Sequence, residues 1–284
     1  MKNLRSLAPL SIGLAGCLWL QSCTKPPQAA TQSTDKFQGK LVLTGSSTVA
    51  PLAAEIGKRF ESGHPGVRVD VQTGGSSRGI TDARQGLANI GMASRALKDE
   101  EKDLQAFSIA RDGVGIILHK DNPVQSLSDK QVVDIYTGKI KNWQEVRGKD
   151  APITVVNKAE GRSTLELFAH YFKIKNSDIK AQVVIGDNEQ GIKTVAGNPN
   201  SIGYVSIGTA EHNAASGVPI KLLPVGGVAA STENVQNGSF PLSRPLNLVM
   251  KNQPQGLEKD FIDYARSPQV QDIVKEQNFV PLSK

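Results

Sequence analysis

The chain has 284 residues, of which 38% are hydrophobic and 21% charged, and its formal net charge is +6. This composition is typical of a folded chain with one large or two medium domains, and it excludes a largely disordered protein. The positive excess is small and not clustered, which argues against a nucleic-acid-binding surface but favours the approach of a small anion. With 27 glycines and 5% aromatic residues, the sequence suits an α/β fold with many tight strand–helix turns.

Residues 1–22 are typical of a secretory signal, because basic residues precede an apolar stretch that is too short to span a membrane. Both cysteines, Cys17 and Cys23, end segments that resemble the lipobox of bacterial lipoproteins, LAGC and LQSC. We favour Cys23 as the acylated residue, because residues 23–36 form a polar, proline-containing stretch that suits a tether. A plain secretory signal is the alternative. Removal of residues 1–22 would lower the net charge from +6 to +4.

From Phe37 onward, hydrophobic periodicity predicts alternating strands and helices. In chain order these are a strand at KLVLTG, a helix at VAPLAAEIGKRFESGHPG, a strand at VRVDVQTGG, a helix at SSRGITDARQGLAN, a short strand followed by an acidic helix at IGMASRALKDEEKDL, and a strand pair or one long strand at FSIARDGVGIILHKDNP. Such alternation predicts a largely parallel sheet covered by helices.

The pattern then restarts. Ser128 is a good N-cap for a helix that ends near Gly138. Further elements follow in chain order: strand and helix in PITVVNKAEGRSTLELFAHYF, strand, helix and strand in AQVVIGDNEQGIKTVAGNPNSIGYVS, a strand at PLSRPLNLVM, and one or two closing helices in QGLEKDFIDYARSPQVQDIVKEQNF. A second α/β unit is therefore expected.

Three predicted strand–helix junctions carry glycine and hydroxyl residues, at 45–47, 75–77 and 161–164. A helix N-terminus has unpaired N–H groups and a partial positive charge, and it is therefore a natural place to hold an anion. In open α/β sheets, ligands bind beyond the carboxyl ends of the strands. Ordinary capping explains one such junction, but three together indicate a shared anion site.

These junctions, with further segments, resemble the PstS-like phosphate-binding components of bacterial ABC transporters, a family of type II periplasmic-binding proteins. The segments occur in the family's order over about residues 40–250, and they are TGSSTVAPL, TGGSSRGI, IGMASRALKDEE, DGVGIILHKDNP, IYTGKIKNWQEV, GRSTLELF, SIGYVS and FPLSRPLNLV. The family-specific motifs among them are TGKIKNW and GGSSRG.

The resemblance implies an α/β fold with two lobes, each a mostly parallel sheet flanked by helices, joined by a two-crossover hinge. Residues 36–121 and 245–284 would form the first lobe, and residues 122–244 the second. The protein would capture inorganic phosphate in the cleft, outside the cytoplasm, and deliver it to ABC transporter permease subunits while a lipid anchors it to the membrane. No enzymatic step, cofactor, metal or nucleic acid is expected.

The resemblance also assigns residues to the phosphate. Backbone N–H groups and hydroxyls from both lobes would donate hydrogen bonds, and arginine would supply charge and fork geometry. The residues are Ser46, Ser47, Thr48, Ser76, Ser77, Ser94, Arg95, Arg162, Ser163 and Thr164.

Two of these positions depart from the family pattern. Arg162 stands where a small residue is common, and Arg95 stands where better-known members carry an aspartate that accepts the proton of hydrogen phosphate and so rejects sulfate. We expect Asp112 to replace that acceptor, with an exposed turn aspartate as the equal alternative. Arg244 is expected to form a surface salt bridge rather than to line the cleft.

Two other functions stay open. The same cage would suit another tetrahedral oxyanion, such as sulfate, molybdate or tungstate. The segment GSSRG also fits a nucleophile elbow, which would make Ser77 the nucleophile of a secreted serine hydrolase. That reading needs a histidine, and none of the four in the chain stands in a context that identifies it as the base.

Overall fold

Strands and helices alternate through residues 38–282, the part of the chain that the computed structural model describes. The predicted signal, the tether and both cysteines lie outside the described residues. Strands β1 to β9 are Gly39–Gly45, Val67–Thr73, Ile90–Ala93, Gln105–His119, Thr154–Lys158, Val183–Ile185, Ser201–Ser206, Ile220–Leu223 and Ser243–Met250. Helices α1 to α9 are Val49–Gly63, Ser76–Gln85, Asp129–Tyr136, Ser163–Phe172, Asn188–Ala196, Ile207–Ala215, Thr232–Gln236, Gly256–Ala265 and Gln271–Glu276.

The strands pair in the order β2-β1-β3-β9-β4-β7-β5-β6, and β8 also pairs with β4. The outer pairs β1–β2, β1–β3, β5–β6 and β5–β7 are parallel. The pairs that involve β4 or β9 are antiparallel: β9 runs opposite to β3 and β4, and β4 runs opposite to β7 and β8. The prediction of a largely parallel sheet is therefore confirmed for the flanks of the sheet, and the antiparallel pairs at its centre were not predicted.

The long strand β4 changes partner at Gly113–Val114. Residues 105–113 pair with β9, and residues 114–119 pair with β7 and β8. We call β1–β3, α1, α2, α8 and α9 the first lobe, and α3–α7 with β5–β8 the second lobe; β4 and β9 lie between them in the sheet. The predicted boundaries after residues 121 and 244 stay a prediction.

Each lobe has its own hydrophobic core. In the first lobe, apolar residues at helical spacing on α1, among them Leu52, Ile56 and Phe60, pack on β1 and β3. In the second, Trp143, Phe168 and Tyr204 are almost completely buried. Each lobe therefore has buried apolar packing of its own.

Most of the predicted elements are confirmed. Ser128 caps α3 in a reciprocal capping box with Gln131, and the possible strand pair is the single strand β4. The prediction of an acidic helix is wrong. Only a single 3-10 turn forms at Asp99–Glu101, because Glu101 turns inward to pair with Arg95. The pattern gave no signal for α6, β8 and α7. No helix within residues 38–282 combines the length and the apolarity needed to cross a bilayer.

Candidate functional site

Buried hydroxyl residues from both lobes meet where the strands end and the helices begin. Ser46 follows β1 and Ser94 follows β3, while Ser76 opens α2 and Ser163 opens α4. Their relative exposures are only 1–2%. Because α2 and α4 begin at these residues, the partial positive ends of both helices lie at the same place.

The four serine hydroxyls form a continuous hydrogen-bonded chain. Ser46 Oγ donates to Ser94 Oγ at 2.9 Å, and Ser76 Oγ donates to Ser163 Oγ at 2.9 Å. Ser94 Oγ and Ser163 Oγ lie 2.6 Å apart, which joins the two lobes. The backbone N–H groups of Thr48 and Val49 also converge on Ser46 Oγ, at 3.2 and 3.3 Å. We call this group, with Thr48 and Thr164, the hydroxyl cluster.

Arg244 lies at the centre of the hydroxyl cluster, 2% exposed. Its Nη1 donates to Thr164 Oγ1 at 2.9 Å and to Ser94 Oγ at 3.2 Å, and its Nη2 donates to Thr48 Oγ1 at 3.1 Å. The expectation of a surface salt bridge is therefore wrong. The physical reason is strand pairing: β9 runs between the lobes, so that its start projects Arg244 into the cleft.

Asp112 is the partner of Arg244 and is equally buried. The two residues stand opposite each other in the β4–β9 pair. Asp112 Oδ2 accepts from Nη2 at 2.8 Å and from Nε at 3.2 Å, and Oδ1 accepts from the Gly208 backbone N–H at 3.2 Å. The alternative of an exposed turn aspartate is wrong, because Asp112 lies inside β4 on the face toward the cluster.

A second polar layer, which sequence reasoning missed, lies behind Thr48. Asn188 opens α5, and its Nδ2 donates to Thr48 Oγ1 at 3.0 Å. Lys158 ends β5, is 2% exposed, and donates from Nζ to Asn188 Oδ1 at 3.0 Å. Burial lowers the pKa of Lys158 to about 7. The available signal was a lysine in a buried parallel strand, where charged residues are rare.

Arg95 is placed differently from the other predicted residues. Its Nη1 and Nη2 donate to Glu101 at 2.6 and 2.8 Å, and its Nε lies 2.9 Å from Glu166 Oε2. No hydrogen bond joins its guanidinium to the hydroxyl cluster within the described structure. Glu166, on α4, also lies 3.2 Å from Lys98 Nζ and accepts from Ser77 Oγ at 3.3 Å. Arg95 and Ser77 therefore form contacts between the lobes at the edge of the cleft.

Arg162 and Ser47 are half-buried at the rim of the hydroxyl cluster. Arg162 is the N-cap residue of α4, and burial lowers its pKa, an effect that Asp187 opposes. Its Nε is buried and has no hydrogen-bond partner among residues 38–282. Ser47 makes no side-chain hydrogen bond within the same range.

The arrangement favours an oxyanion. Arg244 lies within the cluster, Lys158 is joined to it through Asn188, and Arg162 precedes Ser163 at the start of α4. Asp112 supplies the one carboxylate that contacts Arg244 in the described structure. Hydroxyls can donate as well as accept, so the cluster can turn its O–H groups toward an acceptor. Surface cavities of about 770 and 680 Å³ are lined by other residues, around Lys275 and around Ile140 respectively.

The geometry gives the hydrolase reading no support. Ser77 Oγ is hydrogen-bonded to Glu166, and none of the four histidines, all within the described range, is its partner. His64 instead contacts the Phe60 carbonyl, and His119 accepts from the Asp121 N–H.

Two lobes that share β4 and β9 and enclose a buried polar cluster between them define a type II periplasmic-binding protein. Residues 27–269 match the family described as the PBP superfamily domain. The chain is 28% identical to the phosphate-binding protein PstS of Bacillus subtilis over 89% of this chain and 84% of that one. It is 32% identical to PstS of Staphylococcus epidermidis, with coverages of 73% and 67%.

Among solved structures, the chain resembles a substrate-binding protein assigned to a phosphate ABC transporter of Clostridium perfringens, crystallised with bound phosphate. The TM-score is 0.80 at 36% sequence identity, over 86% of this chain and all (100%) of the other. The chain therefore belongs to the PBP superfamily and, within it, to the PstS-like family of phosphate-binding proteins.

Proposed function

We propose that this protein captures inorganic phosphate between its two lobes, outside the cytoplasm, and delivers it to the permease of an ABC transporter. The observation that carries the proposal is the hydroxyl cluster, where side chains of both lobes converge on the buried guanidinium of Arg244. The names of the Bacillus and Staphylococcus relatives and the phosphate bound in the Clostridium structure support it.

Binding requires no bond to be made or broken. Each charge-assisted hydrogen bond contributes roughly 1.5–3 kcal/mol, and about four to six of them, less the cost of closing the lobes, support micromolar or tighter affinity. Phosphate that contacts both lobes stabilises the closed form by its differential affinity. The permease would recognise that closed form. We place the hinge at the two strands that both lobes share, β4 and β9.

We further propose that Asp112 selects phosphate over sulfate. A carboxylate has about four lone-pair sites, and three of those on Asp112 accept from Arg244 and Gly208. Within residues 38–282 the remaining site on Oδ1 has no donor, and we propose that it accepts the proton of hydrogen phosphate. Sulfate, which has no proton at neutral pH, would place one acceptor against another, and this repulsion would exclude it.

The variant Asp112→Asn tests both proposals. We expect calorimetric titration of the wild type between about pH 5 and 9 to show binding of phosphate and none of sulfate or molybdate. In Asp112→Asn the ratio of phosphate to sulfate affinity should fall about tenfold or more, because the repelling acceptor is lost and Arg244 retains an unbalanced charge.

Asp263→Asn is the matched control, because Asp263 is an exposed helix residue whose one ion-pair partner in the described part of the chain is Lys259. Its selectivity should equal that of the wild type. Unchanged selectivity in Asp112→Asn would remove Asp112 from the site. If the wild type binds sulfate or molybdate but not phosphate, the ligand is that other oxyanion and the proposed capture of phosphate is wrong.

We also propose that the mature chain is a lipoprotein acylated at Cys23, with Cys17 as the alternative. The support is the lipobox-like sequence before each cysteine and the polar stretch at residues 23–36. Incorporation of labelled fatty acid should be lost in Cys23→Ala and kept in Cys17→Ala. The reverse result would assign the lipid to Cys17.

A further inference from the structure

A buried lysine lies behind the hydroxyl cluster without contacting it directly. Lys158 has a relative exposure of 2%, and its ammonium donates to Asn188 Oδ1 at 3.0 Å. Lysines are almost never fully buried without a charged partner, and no carboxylate forms a salt bridge with Lys158 within the described residues. A cation held in this way is costly unless something else compensates for it.

Lys158 sets the direction of a hydrogen-bond relay. Because an ammonium can only donate, it holds the oxygen end of the Asn188 amide toward itself, and the Ser206 backbone N–H donates to the same oxygen at 3.4 Å. The amide nitrogen then faces Thr48, and Nδ2 donates to Thr48 Oγ1 at 3.0 Å. Arg244 Nη2 donates to the same oxygen at 3.1 Å. Both acceptor sites of the Thr48 hydroxyl are thereby used, so that its O–H must donate to another group.

Three charged groups and one neutral tyrosine, from four elements, lie around Lys158. Asp187 stands at the start of α5, Arg244 on β9 and Arg162 at the start of α4, while the Tyr204 hydroxyl of β7 lies 3.4 Å from the Lys158 backbone N. The pKa of Lys158 is lowered to about 7, mainly by burial and also by Arg244 and Arg162, against the opposing effect of Asp187. Burial raises the pKa of Tyr204, which stays neutral near pH 7.

An anion that enters the hydroxyl cluster changes the electrostatic environment that sets the pKa of Lys158. It brings negative charge to a region where two arginines disfavour a third cation. An opposite charge nearby raises the pKa of a lysine by about 1–3 units. The protonated form, half-populated near neutral pH, would then become the dominant one.

We propose that Lys158 is a positioning residue that becomes protonated as phosphate binds. It holds the Asn188 amide so that the Thr48 hydroxyl donates to the anion, and it takes one proton from the solvent to balance the second negative charge of the phosphate. This inference rests on the proposed capture of phosphate.

The test is calorimetric titration with inorganic phosphate at about pH 8.5, in two buffers that differ in ionisation enthalpy. At this pH, inorganic phosphate is already a dianion and free Lys158 is mostly neutral. We expect the wild type to take up about 0.2–0.9 proton per phosphate bound, the range that a pKa rise of about 1–3 units gives at this pH, and Lys158→Met to take up almost none. Above about pH 8, wild-type affinity should fall by up to about tenfold per pH unit, and the variant should lack this slope.

Two further variants separate charge from orientation. Lys158→Gln keeps a donor toward Asn188 without the charge, and it should lose the proton uptake while keeping more affinity than Lys158→Met. Lys193→Met, an exposed substitution on α5, should behave as the wild type. Should Lys158→Met fail to fold, the uptake by the wild type and its absence in Lys158→Gln carry the test.

The outcomes are distinguishable. Absence of proton uptake by the wild type, or equal uptake by the wild type and Lys158→Met, would overturn the role of Lys158 and leave phosphate capture intact. Absence of phosphate binding by the wild type at every pH would overturn the proposed function itself, and with it this inference.

Discussion

Among single residues, Arg244 is expected to bind phosphate through the planar, forked geometry of its guanidinium as well as through its charge. Its three nitrogens reach Asp112 and hydroxyls of three other residues, Ser94, Thr164 and Thr48. A lysine keeps the charge but has one nitrogen and no planar fork. We therefore expect Arg244→Lys to weaken phosphate binding about a hundredfold or more, measured by calorimetry, because about two charge-assisted hydrogen bonds are lost.

The control for Arg244→Lys is Arg59→Lys. Arg59 also makes a forked pair, with Asp272 at 2.8 and 2.7 Å, but on the surface away from the cluster. Its substitution should leave affinity unchanged. Phosphate affinity near the wild-type value in Arg244→Lys, with the protein folded by circular dichroism, would show that the fork does not bind the anion.

Among the secondary-structure elements, α2 packs closely against the second lobe at its start, next to Gly75. Its φ is 96°, and a Cβ there would lie 2.7 Å from the Gly161 carbonyl oxygen and 2.9 Å from Arg162 Cδ. Next to it, the Ser77 N–H donates to the same Gly161 oxygen at 3.1 Å. A side chain at position 75 would therefore separate the lobes where the hydroxyl cluster joins them.

We expect Gly75→Ala to lower phosphate affinity about tenfold or more, and to lower thermal stability as well, because the backbone conformation is one that alanine disfavours. Gly86, at the other end of α2, also has positive φ but nothing within 4 Å of its Cβ position. Gly86→Ala should therefore lower stability alone. Equal affinities in the two variants would contradict the close fit of α2 against the second lobe.

At the scale of the whole molecule, local signals account for much of the fold. Glycine and hydroxyl residues at three strand–helix junctions predicted the convergence that the structure places around Ser46, Ser76 and Ser163. The Asp112–Arg244 pair could not be predicted in this way, because its partners are far apart in sequence and meet only through the pairing of β4 with β9. Lys158 and Asn188 likewise become neighbours only when β5 and α5 pack together.

The weakest predictions concern segments whose conformation depends on tertiary contacts. The acidic run at Asp99–Glu101 has helical propensity, but the pairing of Glu101 with Arg95 ends the helix after a single turn. The role of Arg95 as a phosphate ligand stays a prediction; its carboxylate partners, Glu101 and Glu166, were not apparent from the sequence.

A crystal structure of the protein grown with phosphate tests the central claim most directly. We expect one phosphate in the cleft, within hydrogen-bond distance of Arg244 and of hydroxyls from both lobes, including Ser46 or Ser94 and Ser163 or Thr164. Phosphate bound to one lobe alone, or at a surface away from Arg244, would contradict it.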